Sequence, residues 1–253
     1  MFKNYFFLLF ILSLNSSSFS QEQRLTDKNS IGWVTYSGLF RLSPKVSLHT
    51  EYQWRRTNGL QNWQQSLVRT GINYAVRKDI SLNAGYAFAD TYSYGDYPAA
   101  FKFPEHRLYQ QAVIKNPIGK VELSHRFTLE QRFLGRVTIQ NGIKNIDYAF
   151  MNRMRYRLRA DIPLKKSGAE NSKWSIAIQD EVFVGWGKNV GANVFDQNRM
   201  HALLGYKANN NLKIEAGYMN QFLQQARRIN NMPVFQYNHG FILSANFSFS
   251  LIK

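Results

Sequence analysis

The sequence predicts an all-β protein, an antiparallel up-and-down transmembrane β-barrel of about 10–12 strands. Three observations carry that prediction. Apolar and polar side chains alternate with a period of two along nearly the whole chain. The alternating runs reach roughly ten residues, which suits a tilted membrane strand, whereas soluble strands average about five or six. Tight turns also take turns with longer loops, as they do in barrel hairpins. The clearest run is Arg153-Met154-Arg155-Tyr156-Arg157-Leu158-Arg159. In an extended strand its arginines point one way and Met154, Tyr156 and Leu158 the other.

Residues 1–20 read as a secretory leader, with Lys3, an apolar core from about Tyr5 to Leu14, and Ser18 and Ser20 placed before a cleavage point at Gln21. That core is too short to span a bilayer as a helix, and no later apolar run approaches the roughly 20 residues required. The mature chain, 21–253, is then one barrel domain. It has no cysteine, which excludes disulfides, thiolate metal sites and a cysteine-borne lipid anchor. Lys+Arg 32 against Asp+Glu 16 gives a net charge of +16, and since the leader carries only Lys3, the mature chain keeps +15.

The strands follow in order. The first is expected at about Ile31 to Phe40. From Lys45 to Arg55, Val46, Leu48, Thr50, Tyr52 and Trp54 oppose Ser47, His49, Glu51, Gln53 and Arg55. Val68, Ile72 and Tyr74 oppose Arg69, Gly71 and Asn73, and Ile80 to Phe88 alternates in the same way. Val121, Leu123, Phe127 and Leu129 oppose Glu122, Arg126, Glu130 and Arg132. After the arginine run come WSIAIQDE, MHALLGY, LKIEAGY and the terminal FQYNHGFILSANFSFS, for about eleven candidate strands and no convincing helix. Short turns are expected at 42–45, 77–79, 116–119 and 207–211, with a longer polar one near 163–172. Longer loops are expected near 56–62, 90–104, 133–147, 184–196 and 223–233.

The polar face holds Arg, Glu, Gln and Asn beside Gly, while the other face ends repeatedly in Trp or Tyr, as interfacial girdles do. The apolar face is therefore assigned to lipid and the polar face to the lumen. The segments GWVTYSGLFRLSPKVSLHTEYQWR, PEHRLYQQ, SHRFTLEQR, MNRMRYRLR, FDQNR and NHGFILSANFSFS resemble an uncharacterised family of Bacteroidota outer-membrane barrels, the domain-of-unknown-function family 2490. The resemblance covers nearly the whole mature chain. It implies a barrel and an outer-membrane address, with no established activity. An odd strand count sits badly with the even numbers usual in bacterial barrels. Either the polar segment 21–29 threads the lumen or one strand is miscounted, and ten or twelve wall strands both fit.

Alternation places Arg55, Arg69, Arg107, Arg126, Arg132, Arg153, Arg155, Arg157, Arg159 and Arg199 inside, with Glu51, Glu105, Glu122, Glu130, Glu181 and Glu215. Glu122 and Glu130 precede the arginine strand and are expected to pair with it as a charge ladder. The lumen is either closed by such ion pairs or, through its excess arginine, binds or passes small anionic solutes. The anion-binding candidates are Arg107, Arg126, Arg132, Arg153, Arg155, Arg157, Arg159 and Arg199, with Glu122, Glu130 and Glu181 beside them. Lys102, Lys144, Lys165 and Lys166 are placed at the rims, where lipopolysaccharide phosphates would meet them.

Other classes fit less well. Outer-membrane phospholipases set a His and a Ser two apart on one strand face. No His-x-Ser occurs here; His49, His125 and His201 are on different strands and His239 falls on the outward face. A pair such as Glu181 with His201 stays open. No spacing matches a metal-ligand set, no cofactor is implied, and the interleaved arginines offer no continuous basic surface for nucleic acid. The loops 90–101 and 184–195 could contact another outer-membrane protein. The sequence thus points to a transport, anion-binding or scaffold component, or an accessory subunit, rather than an enzyme.

Overall fold

The computed structural model describes residues 23–164, 172–191 and 193–252. Residues 1–20, expected as a leader, lie outside them. The described chain has no helix. Its eleven strands are β1 (Leu25–Arg41), β2 (Val46–Thr57), β3 (Asn62–Ala75), β4 (Ile80–Thr91), β5 (Phe103–Ile118) and β6 (Val121–Gln140), then β7 (Ile143–Pro163), β8 (Trp174–Trp186), β9 (Phe195–Lys207), β10 (Leu212–Ile229) and β11 (Met232–Ser250). Each pairs with its neighbours in sequence, and the sheet closes on itself. Closure leaves no free edge, so the strand backbone is hydrogen-bonded within the wall.

The barrel is apolar outside and largely polar inside, where a buried apolar cluster of Ile31, Trp33, Ala177, Leu203, Met219 and Ile242 interrupts the polar wall. Arg153 and Arg155 are 3% and 5% exposed, whereas Met154, Tyr156 and Leu158 between and beyond them are 45%, 37% and 39% exposed. Large apolar side chains stand outward on every strand of the wall, among them Tyr36, Tyr52, Ile72, Leu82, Leu108, Ile178, Leu204 and Leu243. Aromatic pairs mark both ends of this band. Trp63 stacks on Tyr92 at one end, and Trp174 lies 4.7 Å from Tyr206 at the other. Trp63 and Tyr74 on β3 are eleven residues apart, roughly 36 Å along a strand and about 25–30 Å at the usual barrel tilt. That matches the height of a lipid-facing apolar band.

The seam between β1 and β11 is parallel, running from Leu25↔Val234 to Arg41↔Ser250. This resolves the odd strand count: eleven strands close without a twelfth because the first and last run in the same direction. It also corrects the expectation of an entirely antiparallel wall, and residues 25–29 belong to the wall instead of threading the lumen. At the seam Gly240 faces Ile31, and a Cβ there would strike the Ile31 carbonyl.

Two expected loops are strands. Residues 133–147 continue β6 and β7 to a two-residue turn at Asn141 (φ 51°) and Gly142 (φ 76°). Residues 223–233 continue β10 and β11 to Asn230 (φ 48°) and Asn231 (φ 63°). Both central residues have positive φ, the geometry that matches the right-handed twist of a hairpin and favours Asn-Gly. One rim thus carries the turns 42–45, 76–79, 119–120 and 208–211, with the end of β7 and the start of β8. The other carries 58–61, 141–142, 230–231, the true loop 92–102, and residues 187–191 and 193–194 between β8 and β9.

Candidate functional site

An arginine–carboxylate belt crosses the interior. Glu130, fully buried, faces Arg153 across β6–β7. Arg153 Nε donates to its Oε2 at 2.7 Å, and Arg155 Nη1 donates to its Oε1 at 2.8 Å. Glu181 Oε1 accepts from Arg155 Nε and Nη2 at 3.1 and 2.9 Å, and from Arg126 Nη2 at 2.8 Å. Arg107 clasps Glu105 with two parallel bonds of 2.7 Å, and Arg132 Nε also donates to Glu105. Such forks lock orientation as well as charge. Arg69 stands 3.8 Å from Glu51 and 3.9 Å from Glu130. Nearer the short-turn rim, Arg159 binds Asp161 at 2.6 Å and Glu215 at 2.5 Å.

Glu122 departs from the expected ladder. It lies at the short-turn rim and pairs with Lys115 at 2.9 Å, both about half exposed. Alternation assigns a residue to a face and is silent on depth, so Glu122 and Glu130 looked equivalent. Among the rim lysines, Lys102 pairs with Asp90 at 2.7 Å and Lys144 is exposed; Lys165 and Lys166 lie outside the described residues. Glu181 makes its ion pairs with arginine, and His201 Nδ1 is instead bonded to the Gln179 amide at 2.9 Å.

Above the belt, at the long-loop end, a cavity of about 340 Å³ opens between the loop 92–102 and Asn189, Val190 and Asn193 of the β8–β9 connection. Its floor holds Glu105, Arg107, Arg132, Arg153 and Asp196, and its wall holds Arg55, Arg199 and several glutamines. Arg55 and Arg199 differ from the belt arginines in having no carboxylate within ion-pair distance among the described residues. Arg55 bonds the Gln53 and Gln65 amides, with Nη1 2.6 Å from Gln65 Oε1. Arg199 bonds Gln197 at 3.3 and 3.2 Å. Both guanidinium groups lie over the buried Trp33 ring, at 3.9 and 5.0 Å. Amides and a ring face position a cation without neutralising it.

All three register shifts in the barrel fall at this end. The first lets Arg55 pair with Gln65 and Arg56 with Trp63, which leaves Gln64 as an extra residue aimed inward. Gln64 Oε1 accepts from Trp33 Nε1 at 2.7 Å. The second pairs Phe183 with Gln197 and Val184 with Phe195, leaving Asp196 extra; it receives Arg153 Nη1 at 2.5 Å. The third spans Gln224 to Arg228, and residues 225–227 within it line the cavity. A bulge adds one residue, bends its strand and re-aims a side chain. Here the bulges supply cavity residues that strict alternation misassigns.

The loop 92–102 spans the mouth of the cavity. It leaves β4 and returns to β5, yet its bonds reach β1, β10 and β11 on the opposite side of the ring. The Asp96 backbone N–H donates to Asp27 at 3.2 Å, and Tyr94 OH donates to Gln236 at 3.1 Å. Arg227 Nη2 donates to the Tyr97 and Pro98 carbonyls at 2.6 and 2.7 Å. Burial raises the Tyr94 phenol above its ordinary range, which keeps it a neutral hydroxyl able to bond several amides.

One Ser, His and carboxylate do meet on the lumen wall, without forming a relay. Ser37 Oγ and Glu51 Oε2 both approach His49 Nε2, at 3.5 and 3.7 Å. A relay needs the hydroxyl and the carboxylate on different ring nitrogens. On the outer face, His106 lies between the Tyr86 and Tyr148 hydroxyls, His125 bonds Tyr156, and His239 is exposed.

Two known proteins are similar to the chain, one in sequence and one in shape. An uncharacterized protein of Methylorubrum extorquens is 27% identical over 197 residues, which is 75% of this chain and 76% of that one. A crystal structure of the NanC porin covers 86% of this chain and 97% of its own, with 11% identity and a TM-score of 0.47. A likeness that loose transfers neither solute nor activity. The family model described as "Protein of unknown function (DUF2490)" matches residues 31–232, and the chain belongs to that family.

Proposed function

We propose that this protein is an outer-membrane β-barrel, exported with its leader removed, that takes a small anionic solute into the long-loop vestibule as a narrow transport or binding component. The observation that carries this reading is the pair Arg55 and Arg199, which face the cavity with amide and aromatic partners in place of carboxylates. A positive site with amide walls attracts an anion and offers it directed donors. The apolar outer band and the girdles support a place in lipid, with lipopolysaccharide phosphates as surface partners of rim lysines such as Lys144.

A second reading is a closed scaffold or accessory subunit, favoured by the belt: Glu130 and Phe183 are fully buried in mid-barrel and leave the interior tightly filled there. Conductance of the purified protein in planar bilayers separates the two. Anion uptake predicts anion-selective current that falls when Arg55 and Arg199 are both changed to Gln. A scaffold predicts no current, and a co-purifying outer-membrane protein that is lost when residues 90–101 are deleted. Hydrolysis has the least support, given the geometry around His49.

A further inference from the structure

We propose that the barrel holds a second anion on the short-turn side of the belt, between Arg126 and Arg157, and that the ligand is a small oxyanion of phosphate or carboxylate type. Arg126 and Arg157 are direct cross-strand partners on β6 and β7. Like charges set opposite each other on one face destabilise a sheet unless something neutralises them. The protein supplies only half of that neutralisation. Glu181 Oε1 already serves Arg126 and Arg155, and Arg157, though opposite Glu181 in register, has no hydrogen bond or ion pair to any described residue.

The donors that remain lie on one stretch of the wall, across β6 to β9. Arg157 Nε and Arg126 Nε are both enclosed and unpartnered, as is His201 Nε2. His201 is two strands away, beyond Gln179, whose amide approaches its Nδ1 at 2.9 Å. With that amide donating, the neutral ring carries its proton on Nε2. Two guanidinium groups and an imidazole N–H with unused donors are the complement of an oxyanion, and an enclosed unpaired cation is costly without one. This site is distinct from the vestibule and does not depend on passage of anything through the barrel.

The test is calorimetric titration of the full-length, folded protein in detergent with inorganic phosphate and, separately, with acetate, which tells the two ligand chemistries apart. Arg157→Gln breaks no ion pair, so the barrel is expected to fold, and heat-modifiable gel mobility verifies that it has. The proposal predicts saturable binding that survives in Arg55→Gln/Arg199→Gln, weakens about tenfold or more when Arg157→Gln is added to that variant, and is partly kept when Arg157→Lys is added instead. It is overturned if the Arg55→Gln/Arg199→Gln protein binds neither anion, or if adding Arg157→Gln to it leaves a folded protein that binds as tightly as before. Loss of binding only in the Arg55/Arg199 variant would leave the vestibule reading intact and reject this site.

Discussion

Glu130 and Arg153 face each other across the β6–β7 seam, with Arg153 Nη2 2.6 Å from Glu130 Oε2 and neither side chain more than 3% exposed. The same carboxylate receives Arg155 through its other oxygen. Changing Glu130 to Gln leaves two buried guanidinium groups short of an anion while keeping the shape. Breaking a buried pair from one side costs about 3–5 kcal/mol. Urea unfolding of the refolded barrel should show a loss of that order. The double variant Glu130→Met/Arg153→Met should lose less than the two single changes together, because the residues are in direct contact.

The strap across the mouth is tested at one hydroxyl. Tyr94 OH lies 3.2 Å from Gln64, 3.1 Å from Gln236 and 3.3 Å from Asn238. Tyr94→Phe removes all three bonds and little volume. Amide hydrogen exchange across 92–102 should speed up about tenfold, while exchange in the β6–β7 wall stays unchanged. Equal acceleration in both regions would mean that the loop is no separate unit.

Bulges were the part of the site that the sequence concealed. Alternation located the strands and both faces because each residue of a regular strand repeats the same two-fold choice. Gln64 and Asp196 each break that choice by one residue, and nothing in NWQQS or VFDQN marks the break, which comes from pairing with a neighbouring strand. Trp33 was hidden differently: GWVTYSGLF carries large apolar residues on both faces, Trp33 and Leu39 on one and Val34, Tyr36 and Phe40 on the other, so an inward indole leaves no trace in the pattern. Asn141-Gly142 did carry a hairpin signal, but the polar residues around it read as a loop because β6 and β7 run past the apolar band. Glu122 shows the remaining gap, since periodicity resolves face and leaves depth open.

Deleting Gln64 tests the bulge itself. The deletion restores regular β2–β3 pairing and withdraws the acceptor from Trp33 Nε1. The barrel should still fold, with stability lower by about 1–3 kcal/mol for the orphaned indole N–H. Anion affinity at the vestibule should fall, because Arg55 and Arg199 both rest on that ring. Unaltered affinity would separate the vestibule from its bulge.

A charge on the outer face should be costly in lipid. Val68 points outward at the middle of β3. Val68→Arg is expected to destabilise the folded barrel in bilayers by about 2–4 kcal/mol, as a cation near the midplane does. The rim change Leu42→Arg should cost about 1 kcal/mol or less.

Inside-out polarity underlies all of these expectations, and site-directed nitroxide labelling in lipid vesicles tests it most directly. The chain has no cysteine, so single cysteines at Met154 and Leu158, and at Ser37 and Ser124 on the lumen side, can each be labelled alone. Labels at 154 and 158 should collide with oxygen dissolved in the bilayer far more than with a water-soluble nickel chelate, and labels at 37 and 124 should show no such preference for oxygen. Nickel access at 154 and 158, with oxygen-dominated collisions at 37 and 124, would contradict the account.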